Sequence, residues 1–494
     1  MFPTFSSLGT HKSTNSFVAA TTIMPQQRST CTVENLSQRF RVPKPTPADK
    51  KQESRSTHKQ YAELYMARNL ALRAGLEAAA HKKWPSLTSD SMQSLTSVRD
   101  NERCCLIGTL IKKMAAQPSI LDTVQDEYKF NNKHAAADNS SNFSGDGDSL
   151  LLEEPGQRIK LEGDAIDPGA FYTGTMVAVL GRKTERGTFA VEDWTYAGFP
   201  AKANAMPTEV PDEDRYVLMM SGLNIGGKDE KPFLTQMLLD YIVGNAGGDA
   251  DHCFGARIVH VIVAGNSIAD DLSGDAALVN AGGTAVAKYL THKSEACTVA
   301  AMQELDRFVA ELSRHVSVAL MPGAHDVSNN MLPQKPLHSC LLPLSRVYVG
   351  SSLTLAPNPY ECCVDGVKFL GTAGQNVNNM ARYASKELNR LDILADTLKC
   401  RHLTPTAPDT LSCFPFTTAD PFIIEETPNV YFCGNQPHLE HDVRSAEGAD
   451  AAEEVRVLCV PDFSATGCVV LVNLKDLSCQ DINVGCSLTD SPLR

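Results

Sequence analysis

Two adjacent residues, His325 and Asp326, stand where an α/β protein usually keeps its chemistry. Residues 316–321 (VSVALM) form an apolar, β-branched run that stops at Pro322-Gly323 and delivers Ala324, His325 and Asp326 into a polar loop. The carboxyl end of a buried strand is the common ligand position in such sheets, and a His beside an Asp offers an acid–base pair. Neighbouring side chains on a strand or turn point apart, however, so the pair reads better as a polar loop capping its neighbours. His402 stands alone in RHLTP (401–405). His438 and His441 have the spacing of a metal pair, but they share a polar stretch with Glu440 and Asp442 that fits a solvated loop. The glycines of 222–227 lack the Lys-Ser/Thr that completes a phosphate loop, and Gly371-Thr-Ala-Gly374 is too short for a dinucleotide fingerprint.

Composition narrows the classes. A chain of 494 residues has length for two or three domains and ample core. A net charge of −13 argues against a protein whose main task is to grip phosphates. No apolar run is long enough to cross a bilayer, so no membrane partner is expected. Fifteen cysteines are scattered without a C-x-x-C pair, which favours buried structural thiols in a reducing compartment over metal ligands. No cofactor is expected.

The elements that must position these residues fall into three parts. Residues 1–57 are polar and proline-closed, without an acid before Glu34; a disordered tail fits better than a transit peptide. From 58 to 205 a helix, with Tyr61, Leu64, Tyr65, Leu72 and Leu76 on one face, precedes short strand candidates at 104–111, 157–161, 176–180 and 188–194. A flexible Asn/Ser/Asp/Gly insertion is expected at about 131–148. Few strands in so short a stretch suit an OB-type barrel. Its scattered aromatics and acidic insertion favour a protein-docking barrel over a single-strand binder. From 206 to 494, strands at 216–220, 257–264 and 316–321 alternate with helices near 232–242 and 298–315. Further strands are expected at 347–350, 354–356, 361–370 and 430–433, a helix at 385–399, and antiparallel strands at 454–460 and 468–473. Strand–helix units followed by β-rich sequence suggest a layered sandwich with helices on its faces.

Four strand ends then line up: SGLNIGG (221–227), AGNS (264–267), PGAHD (322–326) and CGNQP (433–437). Their order resembles the calcineurin-like metallophosphoesterases, whose active members present Asp-x-His, Gly-Asp, Gly-Asn-His, a lone His and Gly-His-x-His around two cations. Against that pattern Gly222 stands at the first Asp, Asn224 at the first His and Asn266 at the bridging Asp. Ala324 takes the place of the metal-binding Asn, and Asn435 and Pro437 the places of the final two His, while His325, Asp326 and His402 remain. Hard divalent ions need anionic oxygen ligands. The expectation is therefore a former site without metal ligands and without catalytic residues.

An OB-like barrel followed by a phosphoesterase domain stripped of its ligands resembles the B-subunits of replicative DNA polymerases. YAELYMARNLALR (61–73), VLMMSGLNIGG (217–227), NPYECCVDGVKFLGTAGQNVNNM (358–380), RHLTPTAPDTL (401–411) and YFCGNQP (431–437) resemble the small, second subunits of DNA polymerase delta in particular. The resemblance implies an α/β chain with a β-barrel: an OB fold, then a calcineurin-like phosphoesterase sandwich flanked by helices, with the metal ligands lost. It implies a nuclear, non-catalytic scaffold. Its partners would be the C-terminal domain of the polymerase delta catalytic subunit, a third accessory subunit, and the catalytic subunit of the translesion polymerase zeta. Contact with DNA would be indirect or weak. The alternative is a divergent metal-dependent phosphoesterase with residual activity.

Overall fold

A computed structural model describes residues 31–43, 60–88, 91–117, 142–202, 213–228, 230–270, 288–385, 388–445 and 454–484. Strand β1 (Val33–Asn35) and a 3-10 turn (Ser37–Phe40) come first, followed by helix α1 (Ala62–Lys83). Strands β2 (Arg103–Lys113), β3 (Ser149–Glu154), β4 (Gln157–Glu162), β5 (Met176–Lys183) and β6 (Thr188–Thr195) close a barrel in the order β2-β3-β4-β6-β5. This five-stranded barrel is an OB fold. Its inner residues, among them Cys104, Leu106, Leu152, Val179 and Phe189, form their own core.

Helix α1 has one buried row at four-residue spacing: Leu64, Arg68, Leu72, Leu76 and Ala80. Leu72, Leu76 and Ala80 cover the outer face of β2 and β5 against Cys105, Ile107, Met176 and Ala178. Leu64 packs instead with the next domain's core. The helix therefore lies across both domains.

That second domain comprises β7 (Tyr216–Met220), α2 (Pro232–Val243), α3 (Asp249–Gly255), β8 (Ile258–Ala264), α4 (Lys288–His315), β9 (Ser317–Met321), β10 (Leu353–Leu355), β11 (Tyr360–Val364), β12 (Val367–Thr372), α5 (Gln375–Tyr383), α6 (Arg390–Lys399), β13 (Val430–Gln436), β14 (Glu440–Arg444), β15 (Val455–Pro461), a single turn α7 (Phe463–Thr466), β16 (Cys468–Asn473) and β17 (Cys479–Asn483). Two six-stranded sheets face each other, ordered β10-β9-β8-β7-β16-β17 and β1-β11-β12-β13-β15-β14. Between them lies an apolar layer including Met219, Ile262, Tyr360, Phe369, Phe432 and Leu458. Helices α2 and α4 cover the outside of the first sheet, and α5 and α6 the outside of the second. Strands buried on both faces read as continuous apolar runs for this reason. The result is a layered α/β sandwich with helices on its outer faces, as expected.

Several expectations need correction. The tail expected to be disordered is ordered at 31–43. There β1 pairs antiparallel with β11, Leu36 N–H donates to Glu361 O, and Phe40 is buried. Residues 1–30 and 44–57 lie outside the described residues. The expected insertion also ends early: 142–148 dock against α5, and the strand directly after them, β3, was not anticipated. Most of the insertion lies outside the described residues. The expected strand at 347–350 is half a 3-10 turn (Ser345–Tyr348) followed by an isolated bridge at Val349, because buried Asp306 accepts the N–H groups of Leu344 and Ser345 and folds the chain there. The stretch holding His438 and His441 is not all loop, since His441 lies on the polar edge strand β14. The last two expected strands belong to opposite sheets rather than to one pair.

Candidate functional site at the strand ends

The carboxyl ends of β7, β8, β9, β12, β13 and β15 meet at one end of the sandwich. Ser221 hydroxyl donates to Pro461 O (3.0 Å) and accepts Asn435 N–H (2.8 Å), tying the two sheets together there. A Cβ added to Gly434 would fall 2.5 Å from Ala264 O, so backbone fills this junction. Three asparagines hold the turning points in the left-handed region: Asn224 (φ 47°), Asn266 (φ 52°) and Asn435 (φ 56°). Asn adopts that conformation more readily than any residue with a bulky or β-branched side chain. Its place at these positions therefore has a backbone reason, independent of catalysis.

Each position singled out in the sequence has a definite partner set. Gly222 faces Asp462: an added Cβ would lie 2.6 Å from its carboxylate. Asn224 donates to Asp462 (3.0 Å) and to Ser464 hydroxyl (2.8 Å). The Asp462 carboxylate in turn accepts Ala465 N–H and caps α7. Asn266 Oδ1 lies 3.4 Å from His325 N–H, and Gly323 presses so closely on Asn266 that any Cβ would clash. Asn435 donates to Ala264 O (3.1 Å) and Ala373 O (2.8 Å), spanning the two sheets. Pro437 is exposed.

His325 and Asp326 part company. Ala324 and His325 face solvent, whereas Asp326 turns inward and accepts Gly323 N–H (2.7 Å) and Ile268 N–H (3.0 Å). Burial pushes its carboxyl up to about 6, against the pull of those N–H groups. Asp326 thus stitches the β9 loop to the β8 loop and does not address His325.

His402 belongs to another place. Its Nδ1 accepts Thr404 N–H, so Nε2–H donates to Asp420 (2.8 Å). Asp420 also accepts Arg68 Nε (2.9 Å), and Arg68, 1% exposed, directs its other donors to Gly174 O, Pro405 O and Ala407 O. Burial, and then Arg68, hold the imidazole below its usual value. Burial works against the Asp420 charge, but His402 and Arg68 hold that carboxyl well below the usual range. The triad joins α1, the barrel and the sandwich.

Residues not anticipated from sequence complete the strand ends. Asn358 donates to Gln334 (2.8 Å) and Gln375 (2.9 Å), Gln375 donates back to Gln334 (2.8 Å), and Gln334 donates to Gly323 O (2.9 Å). Asn358 also accepts Ala373 N–H. Neutral amides therefore bond mainly to one another and to backbone. Asp462 could have been found from its Asp-Phe-Ser-Ala-Thr-Gly setting, an N-cap followed by a glycine stop. The amides carried no chemical signature. Among the described residues, no three His, Cys, Asp or Glu side chains come together as a cation would require.

Comparison with known proteins agrees with this geometry. Residues 217–441 match the family model of the DNA polymerase alpha/epsilon B-subunits, and residues 60–194 that of the DNA polymerase delta subunit OB-fold domain. The chain is 37% identical over 432 residues to the DNA polymerase delta small subunit of Arabidopsis thaliana, covering 87% of this chain and 92% of that one. It is 32% identical over 453 residues to DNA polymerase delta subunit 2 of Drosophila melanogaster, covering 91% and 96%. With the DNA polymerase delta small subunit of Saccharomyces cerevisiae it shares 28% identity over 465 residues, covering 86% and 89%. The barrel, the sandwich and these relatives agree: the chain belongs to the DNA polymerase delta small-subunit family, the accessory subunits of that polymerase.

Proposed function

We propose that the chain is a non-catalytic scaffold of nuclear DNA polymerase delta. In this reading it holds the catalytic subunit's C-terminal domain and a third accessory subunit, and it also serves the catalytic subunit of polymerase zeta. One observation carries it. Where two-metal phosphoesterases need anionic ligands, this chain has Gly222, Asn224, Asn266, Ala324, Asn435 and Pro437, while the nearby carboxylates Asp326 and Asp462 are committed to backbone N–H groups and Asn224. Two adjacent cations would find too little negative charge to offset their repulsion, so no hydrolytic step is assigned to these residues.

The barrel's strand composition supports an indirect role at DNA. Single-strand binders expose aromatic platforms on a basic groove, whereas β3 (SLLLEE) and β4 (QRIKLE), the strands an OB fold uses for this, carry no aromatic side chain. Two experiments test the reading. Full-length protein mixed with the polymerase delta catalytic subunit should co-purify in stoichiometric amounts at physiological salt, and its failure to do so would end the scaffold assignment. Incubation with manganese and a generic phosphodiester should yield no turnover above background. Turnover abolished by His325→Ala would instead establish the residual phosphoesterase.

A further inference from the structure

Helix α5 is held by different domains at its two ends. Its first five residues are rich in amides (Gln-Asn-Val-Asn-Asn), and between them these amides hold the segments around 334, 358, 390, 403–410 and 436. Gln375 joins Gln334 and Asn358, and Asn376 donates to Leu403 O (2.6 Å). Asn378 accepts from Arg390 (2.9 Å) and Gln436 (3.3 Å), and Asn379 accepts the hydroxyls of Thr406 and Thr410 (both 2.8 Å). This end of the helix organises the strand-end loops.

The other end is capped from the barrel. A helix leaves its last carbonyls without intrahelical partners. Here Asn142 donates to Ala381 O (3.1 Å) and Ala384 O (2.8 Å), Phe143 N–H to Arg382 O (2.7 Å), and Lys112 Nζ to Tyr383 O (2.7 Å). The Lys112 ammonium also suits the negative end of the helix dipole, and Asp148 pairs with it at 3.4 Å. Phe143 stacks on Tyr383 with centroids 5.4 Å apart, and the Arg382 guanidinium lies over the Phe143 ring. All four terminal carbonyls are satisfied by the OB domain.

We propose that residues 142–148 and Lys112 form an interdomain strap acting through α5: by completing the C-cap of this helix, the barrel sets the order of the strand-end loops about 13 Å away. A nine-residue helix is too short to be stable alone. Loss of its cap therefore loosens the amide end as well, and loss of the amide end loosens the strap. The coupling is reciprocal.

The test uses the purified full-length chain and two single variants, Asn142→Ala and Gln375→Ala, with their double. Hydrogen exchange in Asn142→Ala should rise about tenfold or more at 375–379 and in the 403–410 loop, as well as at 381–385. Gln375→Ala should likewise raise exchange at 142–144. The Tm loss of the double variant should be smaller than the sum of the single losses, although sites this far apart ordinarily add. Exchange changes confined to the mutated end, no change at all, or strictly additive Tm losses would overturn the proposal. If Asn142→Ala does not fold, the milder Asn142→Ser, whose single shorter donor cannot reach both carbonyls, takes its place with the same expected outcomes.

Discussion

At Asp326 burial and charge are at odds. Its carboxyl is held near 6 in the fold, against about 3.9 in an unfolded chain. The folded state therefore binds the proton more tightly, and this group's contribution is fully present below about pH 4 and lost as pH rises through 6. The shift corresponds to about 3 kcal/mol. Urea midpoints at pH 4, 5, 6 and 7 should show Asp326→Asn losing that pH-dependent fall relative to the unsubstituted chain, while also being weaker at pH 4 because an N–H loses its acceptor. An unchanged slope would show that Asp326 does not titrate in this range. At this scale the sequence was legible where a residue type had one job. Gly-Asn pairs marked the strand ends because a left-handed turning point selects them. Gln334, Asn358 and Gln375 were not legible. An amide bonding to other amides looks like any surface residue until the sheet order brings positions 334, 358 and 375 together.

Helix α1 and strand β1 show what elements contribute. Arg68 was hidden on an otherwise apolar face, and nothing in helical periodicity distinguishes a buried arginine from an exposed one. Its setting of carbonyls and a carboxylate makes it indispensable: Asp420→Ala strands the guanidinium without its counter-charge and should cost about 3–5 kcal/mol in chemical denaturation. Arg68→Lys should fall well short of wild type, since an ammonium cannot reach the donors' several directions. Strand β1 was missed because three residues, Val-Glu-Asn, have no strand signature of their own; pairing with β11 supplies it. Phe40→Ala, which empties the pocket below that edge, should lower stability by about 3–5 kcal/mol, read as a shift in the urea midpoint. A loss under about 0.5 kcal/mol would mean that the N-terminal segment is dispensable. Polar edge strand β14 and Asn-rich α5 escaped notice for the same reason. Their propensities are poor, and tertiary contacts decide their form.

Across the whole molecule the two domains share buried polar fastenings beside apolar contacts such as Tyr172 in the sandwich core and Ile423 against α1. Arg68 bonds to both sides, Lys112 reaches Tyr383 O, and Arg401 donates to the carbonyls of Ala197, Gly198 and Phe199. Leaving any of these carbonyls unpaired is costly, so barrel and sandwich should unfold together. Calorimetry should give one endotherm for the full chain, and Arg401→Ala should split it or lower its midpoint. Two well-separated transitions in the unsubstituted chain would contradict this. The overall architecture was legible because apolar strand runs and helical spacing survive without knowledge of partners. The fastenings were not, because they join side chains to backbone carbonyls, which every residue possesses.

The position of β1 carries a consequence for biosynthesis. Its partner lies more than three hundred residues downstream, as the bond from Thr32 N–H to the Asp365 side chain illustrates at a separation of 333. At about 5–20 residues per second on the ribosome, β1 waits on the order of 15–65 s before β11 emerges to receive it. The OB barrel, whose strands all lie between residues 103 and 195, can close well within that interval. Residues 33–35 are thus made long before they can find their place, and a chain truncated before β11 would leave them without a strand to join.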